Sequence, residues 1–92
     1  MIPRLIQVTL GSGATQISAT SALFNQMTVS NNASHTCRLG DSTVTSTKGI
    51  TLAASNAVNS VVDIGPFDGQ QGDASWFYLY GTQNDLIDVL LI

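Results

Sequence analysis

The side chains that could carry out catalysis are few in this sequence. It holds one histidine, His35, and one cysteine, Cys37. A histidine base acts on a nucleophile within hydrogen-bond reach, and no Ser or Cys stands at a spacing that indicates a nucleophile elbow near His35. We expect His35 to be exposed or held by a structural hydrogen bond. We expect Cys37, in a strand-type segment, to be a small buried hydrophobic residue. The sequence therefore predicts no catalytic residue and no enzyme.

Acidic residues are the next candidates, because carboxylates can bind a hard cation. All six acidic residues are Asp, and Asp68 and Asp73 could meet across the loop 66–73. The set lacks the spacing of an EF-hand, and Asp is common in turns because its side chain bonds the local backbone. The segment Gly11–Gly13 lacks the continuation of a phosphate-binding loop. We predict neither a metal site nor a cofactor.

Charge is scarce along the chain. Charged residues make up 10% of the sequence, against about 25% in an average protein, and the formal net charge is −3. The three cations, Arg4, Arg38 and Lys48, form no basic stripe. This argues against binding to nucleic acid or to an anionic membrane surface. Ser, Thr, Asn and Gln supply the polarity instead, and such a weakly repelling surface favours contact with other subunits.

The length of the chain and its apolar runs limit the number of domains and membrane spans that it can form. Ninety-two residues predict one domain that spans 1–92. No run approaches the roughly 18 apolar residues of a membrane span, and the first residues lack the apolar segment of a secretion signal. We expect a soluble protein with no membrane partner.

Alternation of apolar and polar residues predicts strands along most of the chain. The clearest predicted strands are Leu5–Leu10, Phe24–Ser30, His35–Leu39, Val58–Ile64, Ala74–Tyr80 and Leu86–Ile92. A tight turn at Asn31-Asn32 would make a hairpin of Phe24–Leu39. Seven or eight strands separated by turn signals, without a convincing helix, predict an all-β fold: an antiparallel β-sandwich, jelly-roll-like.

The segment Cys37–Leu52 is central to this pattern. It reads as the end of a strand, a tight turn at Gly40-Asp41, a crossing rich in hydroxyl groups, and a second turn at Lys48-Gly49 that leads into another strand. Glycine supplies the positive φ that such turns need, and Asp and Ser bond the backbone locally. The segment is predicted to be a turn region with one strand leading in and one leading out.

Two of the predicted strands, 74–80 and 86–92, carry large side chains on both faces. Such strands are covered on both sides, by the core or by a partner. A C-terminal strand of this kind would be an aggregation-prone edge if exposed, and a symmetric oligomer would cover it. The residues predicted to lie at an interface with other subunits are Trp76, Tyr78, Tyr80, Leu90, Leu91 and Ile92.

The sequence also resembles a known family. Residues Gly40–Val44 read Gly-Asp-Ser-Thr-Val, follow an Asn-rich turn at Ser30–Ala33, and precede an aromatic strand that ends in Tyr80-Gly81. Over Met27–Ile92 this order resembles the small all-β virion proteins of tailed bacteriophages. The resemblance implies a structural role in a capsid, tail or fibre.

These observations lead to one hypothesis and two alternatives. The hypothesis is a non-enzymatic decoration (cement) protein of a bacteriophage, made in the host cytoplasm, which trimerises and binds the major capsid protein on the capsid surface of the virion. The first alternative is a fibre, spike or tail component. The second is a carbohydrate-binding β-sandwich module in which Trp76, Tyr78 and Tyr80 form a stacking platform.

Overall fold

The computed structural model describes residues 3–55, 57–66 and 69–92. Apart from a three-residue 3-10 helix, the regular structure in these residues consists of ten strands. They are β1 (Arg4–Thr9), β2 (Thr15–Gln16), β3 (Leu23–Phe24), β4 (Met27–Asn31), β5 (Cys37–Gly40), β6 (Ile50–Leu52), β7 (Val61–Ile64), β8 (Gly72–Asp73), β9 (Tyr78–Tyr80) and β10 (Leu86–Leu91). The all-β prediction is confirmed, with more strands than expected because three have only two residues. In the described part of the chain, no helix is long and apolar enough to cross a membrane.

The strands pair as one long hairpin. From its tip outward, the antiparallel pairs are β5–β6, β4–β7, β3–β8, β2–β9 and β1–β10. Each strand of the first arm thus meets the strand at the same distance from the tip on the second arm. The long hairpin places the first and last strands side by side, with Arg4 opposite Leu91.

Two further pairings, β4–β10 and β5–β9, join the arms sideways. They create a first sheet in the order β1-β10-β4-β7 and a second sheet in the order β2-β9-β5-β6, while β3 and β8 form a separate two-stranded ribbon. The C-terminal strand β10 therefore lies between β1 and β4. The chain itself covers both of its edges.

The two sheets share one hydrophobic core. In β4 the inward side chains Met27, Val29 and Asn31 are buried, and Thr28 and Ser30 between them are half-buried, as a period of two requires. The same alternation buries Ile87, Val89 and Leu91 of β10 against the core. Members of the core cluster are Val8, Met27, Val29, Ile87 and Val89 from the first sheet, and Cys37, Leu39, Leu52 and Leu79 from the second. Each large apolar side chain buried in this way contributes about 1.5–3 kcal/mol.

The segment Cys37–Leu52 forms the tip of the long hairpin, which confirms the predicted turn region. The Asp41 carboxylate accepts hydrogen bonds from the Thr43 hydroxyl (2.5 Å) and the Thr43 backbone N–H (2.8 Å), and these lower its pKa. Gly49 has a φ of +135°, and a methyl group there would lie 2.7 Å from Val44 Cγ2. The second turn thus requires glycine both for its backbone and for the space beside Val44.

The predicted hairpin Phe24–Leu39 is wrong. β4 pairs with β10 and β7, whereas β5 pairs with β9 and β6, so the two segments belong to different sheets. Asn31 is the last residue of β4 and not a turn residue. Among the described non-glycine residues, positive φ occurs at Asn59 and Asn84.

The predicted aromatic strand Ala74–Tyr80 is correct only in its second half. Residues Ala74–Trp76 form the 3-10 helix, and β9 begins at Tyr78. Asp73 starts the helix, because its Oδ1 accepts a hydrogen bond of 2.9 Å from the Ser75 backbone N–H. The helix takes Trp76 out of the strand alternation.

Candidate interaction surfaces

The outer face of the first sheet carries exposed aliphatic side chains. Leu5 on β1 stands opposite Leu90 on β10, and Leu5 is 70% exposed. Ile92, 42% exposed, follows on the same side as Leu90, since its backbone continues the ladder to Gln26 with bonds of 2.9 and 3.0 Å. We call Leu5, Leu90 and Ile92 the apolar corner. Its members are neighbours because one strand-pair register aligns Leu5 with Leu90 and the alternation of β10 brings Ile92 to the same side.

Two further exposed apolar side chains, Leu86 on β10 and Val61 on β7, lie elsewhere on this face, and between them are polar groups with two carboxylates. Asp88 accepts hydrogen bonds from the side-chain amides of Gln7 (3.1 Å) and Asn32. Asp63 accepts one of 2.7 Å from the Thr28 hydroxyl. Amides and hydroxyls therefore hold these carboxylates in place, and the face can meet a partner through apolar contacts and hydrogen bonds.

The outer face of the second sheet is aromatic. Tyr78 and Tyr80 on β9 are half-buried and flank the inward, fully buried Leu79. Arg38 stands opposite Tyr80, and Gly40 stands opposite Tyr78. Gly40 has no side chain, and the buried Val44 packs closely against it, with its Cβ and Cγ2 at 3.3 Å from the position that a Cβ on Gly40 would take.

The six predicted interface residues fall into three groups. Tyr78 and Tyr80 lie on the outer face of the second sheet, with Trp76 in the preceding 3-10 helix, 61% exposed. Leu90 and Ile92 lie on the outer face of the first sheet, in the apolar corner. Leu91 is 2% exposed and belongs to the core of the chain itself. The sequence analysis predicted these six residues as one interface. In the structure, the aromatic and the aliphatic residues lie apart.

His35 contacts an acidic side chain, and Cys37 is buried. His35 Nδ1 is 3.0 Å from Asp85 Oδ2, and its side chain is 54% exposed. Cys37 is buried, and burial, with a smaller effect from the charge of Asp85, raises the pKa of its thiol to about 11. A thiol with that pKa stays protonated at neutral pH and is a poor nucleophile.

Asp73 caps the 3-10 helix Ala74–Trp76. Its carboxylate accepts hydrogen bonds from the Ser21 hydroxyl (2.5 Å), the Ala22 backbone N–H (2.9 Å) and the Ser75 hydroxyl (2.8 Å), in addition to that from the Ser75 N–H. Asp68, its predicted partner across the loop, lies outside the described residues. Within those residues, no three His, Cys, Asp or Glu side chains are grouped so that they could hold a metal ion.

Sequence reasoning missed a structural centre at Asn31. Its side-chain amide is 1% exposed, donates to the carbonyl oxygens of His35 (2.8 Å) and Ala53 (3.0 Å), and accepts from the Ala33 N–H (3.0 Å). It joins the end of β4, in the first sheet, to the chain that leaves β6 in the second. The alternation of β4 indicates that Asn31 is buried, because Asn31 lies on the same face of the strand as the buried Met27 and Val29.

Comparison with known proteins finds no matching family model, no matching curated protein and no matching solved structure.

Proposed function

We propose that the two sheets face each other as a β-sandwich of the jelly-roll kind. If the β3–β8 ribbon is set aside, eight strands remain. Along each arm of the long hairpin these strands alternate between the sheets: β1, β2, β4 and β5 on one arm, and β6, β7, β9 and β10 on the other. A long hairpin wound over two sheets is the jelly-roll arrangement, which recurs in viral capsid and lectin domains.

We propose further that the chain is a structural subunit of a bacteriophage virion, a decoration protein that trimerises and binds the major capsid protein. The observation that carries this proposal is the apolar corner. Leu5, opposite Leu90, is 70% exposed, and Ile92, two residues beyond Leu90, is 42% exposed, in a chain with only 10% charged residues. Exposed apolar groups that adjoin one another indicate a contact surface. The resemblance of Gly40–Val44 and its surroundings to phage virion proteins supports the choice of partner.

The proposed mechanism is adhesion. Each subunit would bury the apolar corner against neighbouring subunits and would present hydroxyl and amide groups to the capsid lattice. A trimer suits a threefold position of that lattice. Three subunits joined in one trimer bind the lattice with greater avidity than a single subunit does. Because the subunit binds the assembled lattice and not separated capsomers, it stabilises the lattice by mass action.

Copy number tests this function. Quantitative mass spectrometry of purified particles of the phage that encodes the chain should find it in many copies per particle, in a fixed ratio to the major capsid protein. A few copies per particle would support the fibre, spike or tail alternative. Absence from the particle would overturn every virion role.

A second function is favoured by the aromatic side chains. A stacking platform for a sugar would use Trp76, which is 61% exposed, with Tyr78 and Tyr80, which are half-buried on an outer face. A carbohydrate-binding module would bind glycans as a single chain and would be absent from purified particles. The copy-number measurement therefore distinguishes the two functions.

A further inference from the structure

A pocket of about 320 Å³ opens beside the end of β9. Its polar lining comes from five side chains: Thr36, Arg38, Ser46, Tyr80 and Thr82. Ligand sites occupy roughly 300–1,000 Å³, so the volume suits a ligand of the size of one sugar ring.

The strand register explains how the pocket is built. Arg38 on β5 stands opposite Tyr80 on β9. Thr36, just before β5, and Thr82, just after β9, line the same pocket as Arg38 and Tyr80. Ser46 reaches the same pocket from the hairpin tip.

Arg38 is the charged group of the pocket. It is half-buried, and its Nη1 donates a hydrogen bond of 3.0 Å to the Gly49 carbonyl oxygen, which fixes the guanidinium. In the part of the chain that the structure describes, no carboxylate oxygen lies within ion-pair distance of Arg38, and the one contact of that kind joins His35 to Asp85. A held guanidinium with free N–H groups is suited to a carboxylate, which it binds through two parallel hydrogen bonds.

The other lining groups are those that recognise a sugar. The hydroxyls of Thr36, Ser46 and Thr82 can each donate and accept, and no hydrogen bond to another described residue occupies them. Tyr80 adds an aromatic ring and a further hydroxyl. An aromatic ring, several unoccupied hydroxyls and one unpaired guanidinium match a ring that carries both hydroxyls and a carboxylate.

We infer that this pocket binds a carboxylate-bearing monosaccharide unit, such as a uronic acid. The carboxylate would bind Arg38, the ring would lie against Tyr80, and the sugar hydroxyls would bond the three hydroxyl side chains. The pocket lies within one chain, so binding does not depend on assembly or on the virion role.

Titration of the ¹⁵N-labelled protein with glucuronate, followed by amide chemical shifts, tests this site. We expect shifts at Thr36, Arg38 and Thr82, and binding at least about tenfold tighter than that of glucose, because glucose lacks the group that binds a charged donor. Acetate controls for the carboxylate alone. Equal affinity for glucose, equal affinity for acetate, or no saturable shifts would each overturn the inference.

Variants assign the effect to the pocket. Arg38→Met and Lys48→Met remove one positive charge each, but Lys48 lies outside this pocket, with its Nζ bonded to Thr43 at 2.8 Å. Arg38→Met should weaken glucuronate binding at least about tenfold, and Lys48→Met should leave it unchanged. If Arg38→Met does not fold, Thr82→Val, which removes one exposed hydroxyl, should weaken binding severalfold. Unchanged affinity in the folded pocket variant, or an equal loss in Lys48→Met, would show that the ligand binds elsewhere.

Discussion

The backbone N–H of Ala22 donates a hydrogen bond of 2.9 Å to Oδ1 of Asp73, across 51 residues of sequence. The bond connects the chain that enters β3 with the end of β8, its partner strand. The Ser21 hydroxyl, then the Ala22 N–H, then the Ser75 N–H lower the pKa of Asp73 well below its ordinary value of 3.8. These donors bond best to the ionised carboxylate, so the folded state favours that form.

Because of Asp73, the stability of the folded protein should fall at acid pH. A carboxyl whose pKa is lower in the folded state contributes stability above its ordinary pKa and loses this contribution as the pH falls toward the lowered value. The melting temperature of the native protein should therefore fall below about pH 4. Asp73→Asn should melt lower than the native protein at neutral pH and should depend less on acid. Asp63→Asn, which removes an exposed carboxylate, is the control. An unchanged acid dependence in Asp73→Asn would contradict the assignment.

Asn31→Ala should destabilise the protein strongly. It removes the donor to the part-buried carbonyl oxygens of His35 and Ala53 and to the buried carbonyl oxygen of Leu52 (3.4 Å), and leaving a buried group unpaired costs about 1–3 kcal/mol. A domain of this size loses about 4–8 °C in melting temperature per kcal/mol. Asn32→Ala is the neighbouring control, because Asn32 is exposed, and most such surface changes stay within about 0.5 kcal/mol. Calorimetry that gave equal melting temperatures for the two variants would refute the role of Asn31.

Gly49→Ala should destabilise the hairpin tip. The added methyl group meets Val44 Cγ2 at 2.7 Å and the Leu39 carbonyl oxygen at 3.0 Å, and a φ of +135° strains any residue with a side chain. We expect a loss of about 1–3 kcal/mol in urea denaturation. At Gly13 a methyl group meets nothing within 4 Å, so Gly13→Ala should be neutral or slightly stabilising. A Gly49→Ala protein as stable as the native one would exclude this packing.

Leu91→Ala and Leu90→Ala should differ although the residues are adjacent. Leu91 is 2% exposed, so its truncation leaves a cavity that costs about 2–5 kcal/mol in free energy of unfolding. Leu90 is half-buried and faces outward, so its truncation should cost less stability and should instead weaken the oligomer. Denaturation combined with sedimentation measures both effects. Equal losses of stability would mean that the alternation of β10 has been misassigned.

The proposed trimer should depend on the apolar corner. Light scattering of the native protein should give a mass near three times the 9.7 kDa chain. Leu5→Glu should reduce the mass to that of one chain without unfolding it, because a charge at this interface would be buried without a partner. Val58→Glu adds the same charge at a residue that is 85% exposed and outside the strands, so it should leave the mass unchanged. A native protein that stays monomeric at micromolar concentration would rule out the trimer.

Local features of this fold could be predicted from the sequence. The turn region between Cys37 and Leu52 was predicted correctly because the chemistry of Gly40-Asp41 and Lys48-Gly49 acts within a few residues. The faces of β4 and β10 followed from their period of two. These predictions require no knowledge of distant partners.

Strand partners could not be predicted in this way. A period of two says which side chains share a face but not which strand lies alongside, so β4 and β5 looked like neighbours although they belong to different sheets. The end of the chain looked like an exposed edge because its partners, β1 and β4, are remote in sequence. One local signal indicates the 3-10 helix that contains Trp76. Asp73 stands two residues before Ser75, so its carboxylate can accept a hydrogen bond from the Ser75 backbone N–H. The pocket around Arg38 depends on the β5–β9 register, which has no local signal.

The nested strand pairs also predict an order of assembly. The pair β5–β6 closes the shortest loop, and once it has formed, each further pair needs only the next few residues of both arms to meet. The long hairpin can therefore zip from its tip, although Arg4 and Leu91 are separated by almost the whole chain. Gly49→Ala, at the tip, should then mainly slow folding, while Leu91→Ala, at the open end, should mainly speed unfolding, which stopped-flow measurements can separate.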